Sequence, residues 1–407
     1  MNKFIALALC LAAIGSAGAQ KANVDQADKL AGKTDQLNNA RNLIKQAMED
    51  PQTKNEARTY YVAGKIEMDA YDNATKTQMI NPDDPSAKPA VMADELMNAY
   101  KYFLKALPLD SVPDAKGKVK PKYSKDILNK IAGHANDFFT AGANYFNEKM
   151  YYPQAYEAFM VYGDLPASGM MGKASALIPA EQIATAYFNA GLSGYSGNEV
   201  EKSAEAFKKA REAGYQQHEA YVYEIACWQT VAQRDEARTA EAQKHIMDVA
   251  KAGHEKFGLE QPIFINNMIN ALVVDNKIDE ALAELNKVID ANPDNAALYG
   301  LRGYVYDRAD NDDASEADYR KAADMANVDF ETLKNASKKI FRIGTKKWDS
   351  IEGTSPEAAQ ARKDVKAKYF DSAKQIADKA KAMNPDDSDL KTLLESIDYV
   401  LTTYFNN

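Results

Sequence analysis

Apolar side chains in this sequence recur at intervals of three and four residues, and short polar stretches separate the recurrences. Such intervals place the apolar residues on one face of a helix. Two successive faces in the clearest stretch are formed by Ile265, Ile269, Leu272 and by Ala281, Leu285, Val288. The polar residues 275–277 between them are typical of a turn. The pattern therefore predicts two helices that face each other as a hairpin.

The same pattern returns 34 residues later. With Pro262 and Ala296 as position 1, positions 4, 8, 11, 20, 24 and 27 of the second unit hold Tyr299, Gly303, Tyr306, Ser315, Tyr319 and Ala322. Small residues at position 20 of both units allow two helices to approach, and large residues fill the space beside that contact. This spacing resembles the tetratricopeptide repeat. It departs from that family's pattern in having no tryptophan at position 4.

The template fits most of the chain, with insertions in two units. Further units begin near Asn136, Ala184 and His218, and the second helix of the last is displaced by about ten residues. In the Asn136 unit the predicted face is Phe139, Ala143 and Phe146. Units with insertions lie near Tyr60–Ala106 and Leu333–Pro385, and the second helix of the latter is displaced by 24 residues. Ala40, Ile44 and Ala47 suggest a degenerate leading hairpin, and Leu390–Phe405 a capping helix.

The resemblance implies an all-α, right-handed α-solenoid of about seven hairpins with insertions and a C-terminal capping helix. We expect two parts, residues 20–257 and 258–407. The alternative is a helical bundle without repeats.

The N-terminal residues have the features of an export signal. Lys3 precedes an apolar stretch, Phe4–Ile14, that is too short for a stable membrane anchor. Ala17–Ala19 matches the small-x-small pattern of signal peptidase sites, which predicts a signal peptide over residues 1–19 and cleavage before Gln20. No later stretch has the length of a transmembrane segment. We therefore expect an exported protein of the periplasm or outer cell envelope of a bacterium.

Charge and cysteine content narrow the possible functions. The chain has 50 basic and 59 acidic residues, a net charge of −9, which disfavours nucleic acid as a partner. Cys10 lies inside the apolar signal segment, and the large Leu9 before it disfavours a lipidation site. The mature chain retains one cysteine, Cys227, which cannot form an intramolecular disulfide. Its position beside Trp228 on an apolar helix predicts a buried thiol.

No motif predicts catalysis, a metal or a cofactor. No two of the four histidines have zinc-site spacing, and no glycine-rich phosphate loop is present. Asp310, Asp312 and Asp313 lack the glycine and the final glutamate of a calcium loop. The sequence leaves open a pair of catalytic carboxylates for glycoside cleavage, because acidic residues are numerous and the pattern distinguishes none of the possible pairs. We expect a chain that is not an enzyme, while an enzyme with its site in an insertion remains an alternative.

A binding surface is the remaining prediction. In tetratricopeptide folds the first helix of each hairpin lines the concave face, and that geometry implies a partner-binding groove. Its predicted residues are Asn266, Asn270, Tyr304, Arg308, Lys334, Lys338 and Arg342. The three basic residues recur every four positions and form one stripe that would suit an acidic group. Asn266 stands where family members that grip a terminal carboxylate have lysine, so that clamp is not expected.

The favoured function is an exported scaffold that binds a protein or peptide through this groove. The alternative is a surface protein that binds glycans or nutrients with tetratricopeptide hairpins. Tyrosine richness is compatible with sugar stacking, whereas the absence of a lipidation motif counts against this alternative.

Overall fold

The computed structural model describes residues 21–405, and the regular structure in that range is entirely helical. This result confirms the predicted all-α class. The predicted signal peptide, residues 1–19, lies outside the described residues. None of the described helices is long and apolar enough to cross a membrane.

The chain divides into two compact units, the first ending at Val249 and the second beginning at Ala250. The helices of the first unit are α1 (residues 21–30), α2 (Leu37–Glu49), α3 (Ala57–Ile80), α4 (Pro89–Asp110), α5 (Ser124–Gly133), α6 (Ala135–Asn147), α7 (Tyr152–Asp164), α8 (Ala180–Ser196), α9 (Val200–Glu212) and α10 (Glu219–Arg234). Helix α11 (Thr239–Phe257) contains the division, which lies upstream of the boundary predicted after residue 257. The helices of the second unit are α12 (Pro262–Val274), α13 (Ile278–Ala291), α14 (Ala296–Arg308), α15 (Asp312–Asp324), α16 (Phe330–Asp349), α17 (Pro356–Val365), α18 (Asp371–Met383) and α19 (Ser388–Phe405).

The 34-residue interval is present in the helix boundaries. First helices α12, α14 and α16 begin at Pro262, Ala296 and Phe330, each 34 residues after the last, and second helices α13 and α15 are offset by the same interval. Helices that follow one another in the chain pack against each other: α14 contacts α15, and α15 contacts α16. The predicted succession of hairpins is therefore confirmed.

A glycine at position 8 and an aromatic ring at position 24 hold the two helices of a hairpin close together. A Cβ atom at Gly303 would lie 3.1 Å from the ring of Tyr319, and one at Gly191 would lie 2.5 Å from the ring of Phe207. These contacts leave no room for a larger side chain at position 8.

A serine at position 20 makes a second contact between the same helices. The Ser315 hydroxyl donates to the Gly303 carbonyl at 2.8 Å, and the Ser203 hydroxyl donates to the Gly191 carbonyl at 2.6 Å. Both bonds are buried and span twelve residues. They confirm the predicted register in α8–α9 and α14–α15.

The two insertions leave the hairpin contacts intact. In the first, a Cβ atom at Gly64 of α3 would overlap the Phe103 ring of α4. This close contact is kept because the extra residues lengthen both helices. In the second, the Ser337 hydroxyl donates to the Ala373 carbonyl at 2.8 Å. This contact confirms the predicted displacement of 24 residues, which form α17 and the π-helical turn Lys366–Phe370.

The register predicted for α6 is wrong by one residue. The sequence pattern predicted a buried face of Phe139, Ala143 and Phe146, whereas the structure buries Phe138, Gly142 and Tyr145. A Cβ atom at Gly142 would lie 2.7 Å from the Phe159 ring, so only the glycine allows this close approach. Small and aromatic residues alternate in adjacent pairs here, and the pattern alone does not separate the two faces.

The ends of the described chain follow the sequence expectation. Ala40, Ile44 and Ala47 of α2 are buried together with Val24 and Ala27 of α1, which confirms a leading hairpin. Helix α19 packs on α18 and buries one face, formed by Leu390, Leu394 and Ile397, as predicted for a capping helix.

Candidate partner-binding groove

The first helices of three successive hairpins in the second unit line a groove of about 780 Å³, which we call the first-helix groove. Helix α12 contributes Asn266 and Asn270, α14 contributes Tyr304, and α16 contributes Lys338 and Arg342. The structure thus brings together five of the seven residues that the sequence singled out. The 34-residue interval explains this, since equivalent positions of successive first helices face the same side.

The other two candidates lie outside the lining of this groove. Arg308 is exposed at the last residue of α14. Lys334 is only 14% exposed, and its ammonium group contacts Glu331 at 3.0 Å and Asp387 at 3.3 Å. Arg342, although half exposed, pairs with Asp307. The predicted basic stripe is therefore interrupted, because nearby carboxylates neutralise two of its three charges.

A buried ion cluster that the sequence pattern did not predict joins the helices that line the groove. Lys339 is 2% exposed, and its ammonium group contacts Asp312 at 2.5 Å and also Asp307. Lys339 and Lys346 hold the pKa of Asp312 down at about 2. The cluster ties α16 to α14 and to the start of α15, which fixes the spacing of the groove walls.

The polar groups left free in the groove are mostly amides. Asn266, Asn270 and Asn335 are exposed, and residues 21–405 provide none of their side chains with a hydrogen-bond partner. Lys338 is exposed and likewise makes no ion pair within that range. The sequence pattern did not predict Asn335. This residue directly follows Lys334 in α16, and the family geometry does not assign its position to the concave face. The groove therefore offers several donors and acceptors and one unneutralised cation.

The described residues form no metal-binding cluster, and their cysteine is buried. No group of three or more histidine, cysteine or acidic side chains between residues 21 and 405 is arranged to hold a metal ion. Cys227 is fully buried, as predicted, and burial raises its pKa to about 11. A thiol with that pKa stays protonated near neutral pH and is a poor nucleophile.

The spacing and contacts above decide the repeat type. The chain is built from tetratricopeptide-type hairpins. Comparisons with protein-family models and with curated proteins gave no match.

Solved structures with similar folds include YrrB, described as a TPR protein with an unusual peptide-binding site. It is 19% identical, and the match covers 57% of this chain and 95% of that chain with a TM-score of 0.30. The P58(IPK) TPR domain is 13% identical over 95% of this chain and 99% of that one, with a TM-score of 0.28. Yeast Tom70 is 14% identical over 93% and 88%, with a TM-score of 0.29. At these scores the overlays carry no argument about the site, and the hairpin assignment depends on the contacts within this chain.

Proposed function

We propose that this chain is an exported, non-enzymatic scaffold that binds a protein or peptide through the first-helix groove. The observation that carries the proposal is the display of unpaired amides from α12 and α16 beside Tyr304 and Lys338. The N-terminal sequence supports export, and N-terminal sequencing of the secreted form checks whether it begins at Gln20.

The chemistry of the groove suits an extended peptide backbone. Each asparagine side chain has two N–H donors and a carbonyl acceptor, and an extended peptide offers both kinds of group along its length. The amides of Asn266 and Asn270 are one helical turn apart on α12, so both face the same ligand. Tyr304 adds a half-buried aromatic surface of the kind that anchors interfaces.

Lys338 gives this surface a preference for an acidic group. Lys338 makes no ion pair with a carboxylate of residues 21–405. The other two cations that line the groove, Lys339 and Arg342, are both paired with Asp307. A carboxylate of the partner would form a charge-assisted hydrogen bond with the Lys338 ammonium group.

The groove gives the glycan-binding alternative no specific support. Its two aromatic residues, Tyr304 and Tyr319, are half-buried and buried. They offer little of the open ring surface that stacking on a sugar requires.

Charge reversal at Lys338 should weaken peptide binding by about tenfold or more, because an attractive pair becomes a repulsive one. Peptides selected from a random library against the mature wild-type chain provide the probe, and fluorescence anisotropy measures their affinity for Lys338→Glu. Lys363→Glu is the matched control, since Lys363 is exposed on α17 outside the groove. Reversal of Lys334 or Arg342 is less informative because it breaks an existing ion pair.

The result that would contradict the proposal is equal loss, or no loss, in the two reversed variants. Circular dichroism must show the same helicity for both, so that a difference in binding reports the groove and not the fold.

A further inference from the structure

The first unit contains a second groove, of about 720 Å³, that lies between other helices. We call it the α2–α4 groove, because residues of α2 and α4 form its two walls and Tyr60 and Glu67 of α3 lie between them. Helices α2 and α4 are second helices of their hairpins, whereas first helices line the groove proposed above. The two grooves share no residue.

One guanidinium group in this groove donates hydrogen bonds to two buried carboxylates. Arg41 donates through Nε to Glu67 at 2.9 Å, and through Nη2 to Glu67 at 2.5 Å and to Glu95 at 3.1 Å. Glu67 is 7% exposed and Glu95 is 6% exposed. With both carboxylates ionised, the cluster has one positive charge fewer than it has negative charges. Buried charges are stable only when they are paired.

One oxygen atom of this cluster lacks a hydrogen-bond donor. Glu95 Oε2 is buried and accepts no hydrogen bond within the described residues, whereas Oε1 accepts from Arg41. A buried carboxylate oxygen without a donor costs free energy, and a ligand whose donor reached it after a small movement of the covering side chains would recover that cost. Glu95 also borders a small cavity of about 40 Å³ that Asn73 and Thr77 help to line. That cavity has room for a water molecule, which is one rival explanation for this oxygen. Protonation of Glu95, whose pKa burial raises to about 7, is the other.

Four carboxylates and three cations line the groove, and this small acidic excess favours a cationic donor. Asp94, the preceding residue of α4, also lines the groove and is exposed. Tyr60 and Tyr102 contribute half-buried rings to the same lining, and Lys105 already places its ammonium group 5.7 Å from the Tyr60 ring centre. Aromatic faces near carboxylates attract guanidinium and ammonium groups.

We propose that the α2–α4 groove binds a basic side chain, arginine or lysine, of a partner peptide, with Glu95 Oε2 accepting a hydrogen bond from its cationic group. This site is separate from the first-helix groove and has the opposite charge preference.

The test uses two fluorescein-labelled hexapeptides. In one, arginine alternates with alanine; in the other, citrulline, which has nearly the same shape but no charge, replaces arginine. Anisotropy titration of the mature chain should show at least about tenfold tighter binding of the arginine peptide. Glu95→Gln should reduce that affinity by about tenfold or more.

Two further variants serve as controls. Glu395→Gln removes the same charge from an exposed site on α19 and should bind like wild type. Asn270→Ala changes the first-helix groove and should also leave the arginine peptide unaffected, so failure of one site is distinguishable from failure of the other.

Equal binding of the two peptides to wild type would overturn the inference, whatever the stability of the variants. So would undiminished binding to Glu95→Gln, or no binding of the arginine peptide up to about 1 mM. In any of these cases the α2–α4 groove does not bind a basic side chain through Glu95.

Discussion

Replacement of Tyr319 by aspartate should lower the free energy of unfolding of the second unit by about 2–4 kcal/mol. Tyr319 is 4% exposed, and its ring packs on Gly303 and within the apolar cluster that also contains Leu333 and Ile340 of α16. Aspartate would remove the ring and bury a charge between two hairpins. Arg342 lies near Tyr319 but is already paired with Asp307, which is also close to this ring.

The two tryptophans make this measurement specific to the second unit. In a Trp228→Phe background the fluorescence comes from Trp348, which lies in the same apolar cluster as Tyr319. Urea titration of that protein gives the free energy of unfolding of this region. Tyr399→Asp, at a 63% exposed position of α19, is the matched control and should change it by less than about 0.5 kcal/mol. Equal effects of the two substitutions would show that Tyr319 does not occupy the hairpin interface.

The stability of the first unit should fall as the pH rises from about 5 to 8, and Glu95 should contribute to the fall. Asp69 and Glu224, whose pKa burial also raises, act in the same direction. Burial raises the pKa of Glu95 from its ordinary 4.5 to about 7, despite the opposing effect of Arg41, and Glu67 and Asp94 raise it further. A carboxyl group with a raised pKa in the folded state binds protons more tightly there than in the unfolded chain. The contribution of this group is therefore fully present below about pH 4.5 and is lost as the pH passes 7. The loss is about 3 kcal/mol at most.

Comparison of wild type with Glu95→Gln isolates this contribution. Glutamine cannot titrate, so urea titrations followed by circular dichroism should show a smaller decrease between pH 5 and 8 in the variant. Carboxyl groups with lowered pKa, such as Asp110 and Asp312, lose their stabilising effect as the pH falls and act mainly below this range. Glu395→Gln should retain the wild-type slope. A wild-type slope in Glu95→Gln would show that this group does not titrate as described.

The repeat could be predicted from the sequence because one physical contact recurs at one interval. Gly303 with Tyr319 and Gly191 with Phe207 both occupy positions 8 and 24, and a small residue at position 20 completes the contact. The spacing of Ala373, Ala377 and Ala380 also predicted the displaced helix that contacts Ser337. The slip in α6 arose where Gly142 and Ala143 are adjacent and both are small.

The groove was predictable only in part because pairing between distant residues is not visible in a periodic pattern. Lys334 satisfies the spacing of the basic stripe, but its partner Asp387 lies 53 residues away. Lys338 and Lys339 are neighbours in sequence, yet one is exposed and the other is 2% exposed, because only the second meets the carboxylates of α14 and α15. Similarly, Arg41 and Glu95 are 54 residues apart in the sequence, and the long helices α3 and α4 lie between and around them.

The central claim is that hairpins keep their register even across an insertion, and a cysteine pair at positions 337 and 373 tests it most directly. The substitutions Ser337→Cys and Ala373→Cys, in a Cys227→Ser background, replace the residues of α16 and α18 that share the buried hydrogen bond. Mild oxidation of the folded protein should give a disulfide between these positions, detected as one linked pair of peptides by mass spectrometry. A folded, helical protein in which both thiols stay free would contradict the account.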